Sequence, residues 1–555
     1  MTKKSASHVL VKSSAARQKI NRVVKLFDTT LRDGTQGEGI SISVDDKLKI
    51  AETLDELGVH YIEGGWPGSN PNDEQFFARA KKELKLKNAK LVAFSSTRKK
   101  GKPAYQDENI QRLVAAGTPA ICVFGKSWDA HVIHALRASL QENIDIISDT
   151  VTFLKSKGRE VIYDAEHFFD GYRANRGYAI ATLRAAWDAG ADNLTLCDTN
   201  GGSLPSDIAT VVREVRRLLP GVSLGIHAHN DSNCAVANSL AAVEEGVDLV
   251  QGTLNGYGER CGNANLGSII ANLKVKMGIS CVTDQQLRSL TEVSRYIDEL
   301  ANVVPHDNMP YVGNSAFAHK AGVHVSAVER SASYEHIDPA IVGNKRRVLI
   351  SELSGKASVM TKAAELNLDF ERDSDAVMKI LTLVKQKEHK GFQYEGAEGS
   401  FVLLVEEALG KRRPFFELTG FRVTVEKTSD DGEMVCEATL KVKVGGKVKH
   451  TVAEGHGPVD ALDKALRRAL EEFYPALKEM SLIDFKVRVI NAQAGTAARV
   501  RVLVNSKDSK SEWGTVGVSE NVIEASWQAL VDAVEYKLFS KKKSFLHQQN
   551  KKRQV

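Results

Sequence analysis

The sequence predicts an α/β chain built as an eightfold (β/α) barrel, a helical subdomain behind it and an α+β domain at its C-terminal end. Three observations predict this. Short β-rich runs alternate with amphipathic stretches eight times over roughly 250 residues from Lys25 onward, which suits a closed TIM barrel better than a doubly wound sheet. Several strand candidates follow a glycine placed to cap the preceding helix: Leu57-Gly58-Val59, Ala189-Gly190-Ala191 and Glu245-Gly246-Val247. Six of the eight strand ends carry ionisable or glycine-rich residues, the distribution expected when chemistry gathers at one mouth of a barrel.

Taken in order, the strands are expected at residues 23–32, 59–64, 89–95, 120–125, 160–165, 193–197, 223–228 and 249–253. The helices between them are expected at 44–57, 73–86, 107–116, 131–157, 174–189, 205–219 and 233–245, with 266–277 closing the outer ring. Residues 1–24 read as a disordered basic extension, with an organellar transit peptide as the alternative, and 25–282 as the barrel domain. Residues 283–395 read as a helical linker subdomain with a loop-rich stretch from Pro305 to Gly343, able to reach over a barrel mouth, its own or a partner's. Residues 396–540 carry two copies of a strands-then-helix unit, the pattern of a helix buried on a small sheet, and 541–555 form a basic tail.

Composition narrows the function classes. A net charge of +5 is small for this length, and its excess at Lys541–Lys543 and Lys551–Arg553 reads as a solvated tail, so no nucleic-acid partner is expected. No apolar run is long enough to span a bilayer. Six cysteines lie scattered without C-x-x-C spacing, which points to a reducing, cytoplasmic setting and away from a structural zinc knuckle.

The chemistry centres on Gly225-Ile226-His227-Ala228-His229. Val222, Leu224, Ile226 and Ala228 alternate with Gly225, His227 and His229, so a strand sends both imidazoles from one face. Two histidines alone are as well explained by hydrogen bonds in a core. Asp33, at the end of the first strand, adds a carboxylate, although Asp33-Gly34 is also an ordinary turn pair. Together the three suit Mn²⁺, Zn²⁺, Co²⁺ or Mg²⁺, and Asn263 offers a fourth oxygen, directly or through water. Such a set leaves positions open for substrate. Arg32, a permanent cation, is placed to hold a carbonyl or carboxylate oxygen of a 2-oxo acid, or to pair with Glu63 or Glu166 inside the barrel. Glu63, Glu166 and Thr199 complete the substrate-facing candidates at strand ends.

The run Phe27-Asp28-Thr29-Thr30-Leu31-Arg32-Asp33-Gly34-Thr35-Gln36, with Glu166 and His227-Ala228-His229, resembles the DRE-TIM metallolyase superfamily. Within it the chain, from about residue 25 to 540, resembles the 2-isopropylmalate/homocitrate/citramalate synthase branch. Gly65-Trp66-Pro67, Ala165-Glu166-His167-Phe168-Phe169-Asp170 and Val123-Phe124-Gly125-Lys126-Ser127-Trp128 are similar to the citramalate-forming members, and Gly65-Trp66-Pro67 departs from the motif of the isopropylmalate-forming ones. The resemblance implies condensation of acetyl-CoA with pyruvate and water to citramalate and CoA on the way to isoleucine, an acyltransferase reaction. It implies a divalent metal on Asp33, His227, His229 and Asn263, catalytic roles for Arg32 and Glu166, substrate contacts from Arg32, Glu63 and Thr199, and removal of the acetyl proton near His324 of Ala318-His319-Lys320-Ala321-Gly322-Val323-His324. The C-terminal region resembles the LeuA-type regulatory and dimerisation domain through Val452-Ala453-Glu454-Gly455-His456-Gly457-Pro458 and Trp513-Gly514-Thr515-Val516-Gly517-Val518. That likeness implies a homodimer with isoleucine as the effector. The rivals are a 2-isopropylmalate or homocitrate synthase, a lyase running the reverse cleavage, and an amino-acid-sensing scaffold without catalysis.

Overall fold

A computed structural model describes residues 22–320, 334–350, 356–366, 368, 374–427, 433–490 and 498–553. Eight parallel strands close into a barrel: β1 (Lys25–Asp28), β2 (Tyr61–Gly65), β3 (Lys90–Ser96), β4 (Ala120–Lys126), β5 (Glu160–Glu166), β6 (Asn193–Asp198), β7 (Leu224–Ala228) and β8 (Leu249–Gly252). Closure is made by β1, which pairs β2 through Phe27 and Asp28 and β8 along its whole length. The first strand is shorter than its sequence suggests, because residues 30–33 leave the ladder as turns and deliver Arg32 and Asp33 to the mouth.

Local signals agree with this framework. The Val44–Leu57 helix begins at Ser43, whose side chain accepts from the Asp46 amide, and ends at left-handed Gly58. Gly190 and Gly246 take the same left-handed conformation after their helices. One expected helix fails. Residues 131–157 are not continuous: a wide turn at Val132–Leu136 ends at left-handed Arg137, and Ser139 caps a new helix, Leu140–Ser156. An unbroken apolar period concealed this break because Ser139 keeps a helical spacing while its hydroxyl takes the Glu142 amide. The outer ring likewise closes with Leu266–Ala271 running into a wide turn at Asn272–Lys276.

The chain divides into two compact units. The first holds the barrel, continues through helices Asp284–Arg288 and Leu290–Leu300 to Phe317, and takes in Ile337–Arg346. Its core is the aliphatic layer between strands and helices, with Leu26, Leu54, Ile62, Ile121, Leu196 and Ile226 fully buried. The second unit comprises Ala318–His336 and Arg347–Val555. Two short strands, β9 (Ala318–His319) and β10 (Arg347–Val348), pair in parallel within it. Its C-terminal part has two antiparallel three-stranded sheets, β11 (Glu417–Lys427), β12 (Met434–Val444) and β13 (Lys447–Gly455), then β14 (Ser481–Val489), β15 (Val500–Lys507) and β16 (Glu512–Ser519). Pro458–Leu470 packs on the first sheet and the Val522–Arg553 helix on the second. The repeat expected from the sequence is therefore present. The last helix also continues through residues 541–553, which the sequence suggested as a separate tail.

Candidate active site and metal centre

The mouth of the closed barrel brings the predicted ligands together, Asp33 from beyond β1 and the two histidines from β7, with β8 between those strands. Alternation along β7 points His227 and His229 to one side, and their Nε2 atoms lie 3.2 Å apart. Asp33 Oδ2 lies 3.3 Å from His227 Nε2 and 4.0 Å from His229 Nε2. All three side chains are buried, and their donor atoms fall within 4.8 Å of one another. A short antiparallel bridge sets Asn263 beside His229. Its Nδ2 donates to the Tyr257 carbonyl at 3.0 Å, while its Oδ1 is buried without a hydrogen-bond partner, as is His229 Nδ1. Buried polar atoms are rarely left unmatched. An orphaned amide oxygen beside two imidazoles and a carboxylate fits a divalent cation held by nitrogen and oxygen donors.

Without a cation the cluster is electrostatically coupled. Burial opposes it, but Arg32 and then His227 hold the Asp33 carboxyl far below the usual range. His229 is pushed down to about 3 by burial and by the neighbouring His227. His227 is raised despite its burial, because Asp33 faces it.

Arg32 lies against this group. Its Nε donates to Glu63 Oε2 at 2.5 Å, and its Nη1 lies 3.3 Å from Asp33 Oδ2. The expected Glu63 pairing is therefore formed, whereas the alternative partner, Glu166, pairs instead with Lys126. Burial would lower the guanidinium, yet Asp33 and Glu63 keep it charged. Burial raises fully enclosed Glu63 to about 7, although Arg32 pulls the other way. The Arg32 guanidinium carbon stands 3.8 Å from the Phe94 ring centre. Phe94 stacks on Phe124 at 5.4 Å, and Trp66 meets both rings edge-on at 5.8 Å. These rings form an aromatic wall beside the arginine. Gly65, with φ 148°, makes the turn that presents Trp66, and a Cβ there would lie 2.5 Å from the Asp73 carboxyl. Asp73 in turn accepts from the Trp66 amide at 2.9 Å and from buried Lys47 at 2.6 Å.

Glu166 ends β5 and Thr199 follows β6. The Thr199 hydroxyl accepts from the His167 amide at 2.9 Å, and its carbonyl accepts from Arg260 Nη2 at 2.8 Å. Arg260 also grips Asp231 at 2.8 and 3.0 Å, tying the loops after β6, β7 and β8 together. His324 lies outside the described residues. The sequence did not single out Gln251, whose Oε1 lies 2.8 Å from His227 Nδ1, nor the Lys126 partner of Glu166. The register of β8 on β7 places Gln251 opposite His227, a pairing that strand order alone makes visible.

The HMGL-like family matches residues 23–297, the homocitrate synthase post-HMGL domain-like family residues 311–391, and the LeuA allosteric (dimerisation) domain residues 395–538. The chain is 57% identical over 517 residues to an (R)-citramalate synthase of Geobacter sulfurreducens, covering 93% of this chain and 98% of that protein. It is 51% identical over 516 residues to an (R)-citramalate synthase of Aquifex aeolicus, with coverages of 93% and 98%. A 2-isopropylmalate synthase of Methanocaldococcus jannaschii is 30% identical over 538 residues, 96% of this chain and 98% of that protein.

Proposed function

This chain belongs to the (R)-citramalate synthase family, and we propose that it condenses acetyl-CoA with pyruvate and water to (R)-citramalate and CoA. One observation carries the reading beyond likeness: Asp33, His227 and His229 converge, buried, within reach of one cation and beside Arg32.

The reaction removes a proton from the acetyl methyl, joins that carbon to the ketone carbon of pyruvate while the ketone oxygen takes the electron pair and then a proton, and adds the water oxygen to the acyl carbon as the C–S bond breaks and the thiol leaves with a proton. Asp33, His227, His229 and Asn263 would hold a divalent cation, which would supply Lewis acidity toward the 2-oxo carbonyl. Arg32, its guanidinium fixed by Glu63 and Asp33, places permanent positive charge where the ketone oxygen gains negative charge. Thr199 and Glu166 orient the remaining polar atoms of the acceptor, and Lys126 fixes the Glu166 carboxylate. We assign methyl-proton removal to His324 on its motif and on the post-HMGL match over residues 311–391. Burial of the centre, with Asp33 and both histidines at most 6% exposed, strengthens each of these charge contacts.

Pyruvate is favoured over larger 2-oxo acids by the Trp66, Phe94 and Phe124 wall beside Arg32. Isoleucine is the effector this reading assigns to the C-terminal domain, and a homodimer is its assembly state. Six cysteines, all free, suit the cytoplasm. Metal-stripped enzyme reloaded with Mn²⁺, Zn²⁺, Co²⁺ or Mg²⁺ and given pyruvate, 2-oxoisovalerate or 2-oxoglutarate tests the assignment through CoA release. Pyruvate with one of these ions should turn over fastest. Preference for 2-oxoisovalerate would make the chain an isopropylmalate synthase, and no turnover with any pair would leave a sensing scaffold.

A further inference from the structure

A directed chain of hydrogen bonds runs through the barrel interior to the metal centre. Ser223 donates its hydroxyl proton to the Asp248 carboxylate at 2.7 Å. The Ser223 oxygen then accepts from Asn193 Nδ2 at 2.8 Å, which leaves Asn193 Oδ1 to accept from the Thr195 hydroxyl at 2.9 Å. With its proton committed, Thr195 Oγ1 receives Gln251 Nε2 at 3.2 Å, and the second Nε2 proton goes to Asp164 Oδ1 at 2.8 Å. Every direction in this chain follows from Asp248, a carboxylate that accepts. Amide orientation is usually ambiguous, since oxygen and nitrogen look alike. Here a flipped Gln251 would set its oxygen against the Asp164 carboxyl and against an oxygen of Thr195 whose proton is already used. Gln251 therefore turns Oε1 to His227, and a group that only accepts there requires a proton on Nδ1.

We infer that Gln251 is the positioning residue that fixes the His227 tautomer, keeping the proton on Nδ1 and the lone pair of Nε2 aimed at Asp33 and His229. The inference rests on the metal-centre reading above. It gives the two ligands different supports: His227 has its outer nitrogen satisfied by a neutral amide, whereas His229 Nδ1 is buried without a partner. Gln251, Thr195 and Asn193 are at most 4% exposed, so no solvent competes for these bonds. A neutral acceptor orients the ring without adding charge beside the cation, so the open coordination positions keep their electrophilic character.

Histidine-labelled protein tests this by nitrogen NMR and by Mn²⁺ titration. Metal-free wild type at alkaline pH, where both imidazoles are neutral, should show His227 as the Nδ1–H form, and so should the Zn²⁺-loaded protein. Gln251→Met keeps the shape and removes the acceptor. It should redistribute the metal-free imidazole toward Nε2–H and weaken Mn²⁺ binding by about 10- to 100-fold. An Nε2–H signal in the wild type overturns the inference whether or not the variant folds, and so does a folded Gln251→Met protein that binds Mn²⁺ as tightly as wild type. Failure of the wild type to bind any divalent ion sinks the metal-centre reading itself, a result separable from the tautomer because the metal-free spectrum is read independently.

Discussion

At the scale of single residues the site is a set of charges that burial would forbid if each stood alone. Asp33 is 2% exposed and is tolerated because Arg32 and His227 face it. Asp33→Ala should therefore remove both cation content and turnover, with kcat falling by at least about 10³-fold, measured by metal analysis of the dialysed protein and by CoA release. The imidazoles make a prediction about pH. His229 titrates near 3 in the folded, metal-free protein against an ordinary value of 6.5, so the unfolded chain binds its proton more readily. Stability from burying it neutral is complete above 6.5 and drains away as pH falls toward 3. His227 has the opposite sign: raised in the fold, it contributes fully below 6.5 and loses its contribution only as pH rises through its folded value. Acid destabilisation of the metal-free centre should thus come from His229, and His229→Asn should flatten the fall of Tm between neutral and mildly acid pH. Specificity belongs to this scale too. Phe94→Leu opens the wall beside Arg32 and should raise kcat/KM for 2-oxoisovalerate relative to pyruvate by about tenfold or more. An unchanged ratio would place the acceptor's alkyl group elsewhere.

At the scale of elements, the last helix is pinned by a polar clamp. Lys537 is buried and pairs with Asp508, and it also lies 3.5 Å from Glu479. Burial opposes it, yet Lys537 and the amides of Lys510 and Ser511 draw Asp508 down to about 2 from an ordinary 3.8. A depressed carboxylate stabilises above its unfolded value, so this contribution is present above 3.8 and is lost as pH falls toward 2. Asp508→Asn should cost about 1 kcal/mol at neutral pH after allowance for solvent screening, and urea titrations of wild type and variant should converge in acid. Elements were also what the sequence told best. Period-2 and period-3.6 patterns locate all eight barrel strands, and Asp33, His227 and His229 were legible because strand ends of a parallel barrel share one mouth. What stayed hidden depends on register or on competition at one residue. Gln251 becomes significant only once β8 is set against β7, and Lys126 takes Glu166 from Arg32 across the β4–β5 pair. The break at Arg137 was masked by an apolar period that continues through it.

At the scale of the molecule, the C-terminal sheets are incomplete by themselves. Phe485, Val487 and Val489 of edge strand β14 pair with Val504, Val502 and Val500 of β15, so they share the face on which Val502 and Val504 are fully buried. The helix that covers β15 does not reach them, and they remain 36%, 46% and 51% exposed. Val425 repeats the pattern on edge strand β11, 50% exposed beside Cys436 at 1%. Apolar side chains in register with a core but open at its edge create a demand for cover that a second copy can meet. The match to the LeuA allosteric (dimerisation) domain spans both sheets. Light scattering should give twice the chain mass for the wild type. Val487→Asp with Val489→Asp would bury two carboxylates in that contact and should shift the mass to that of one chain, while circular dichroism stays that of a folded protein. The isoleucine inhibition proposed above should be lost with the dimer if the effector sits where subunits meet. A double variant that stays dimeric would move the interface to another face, and one that becomes monomeric yet remains inhibited would separate the effector site from the contact that holds the subunits together.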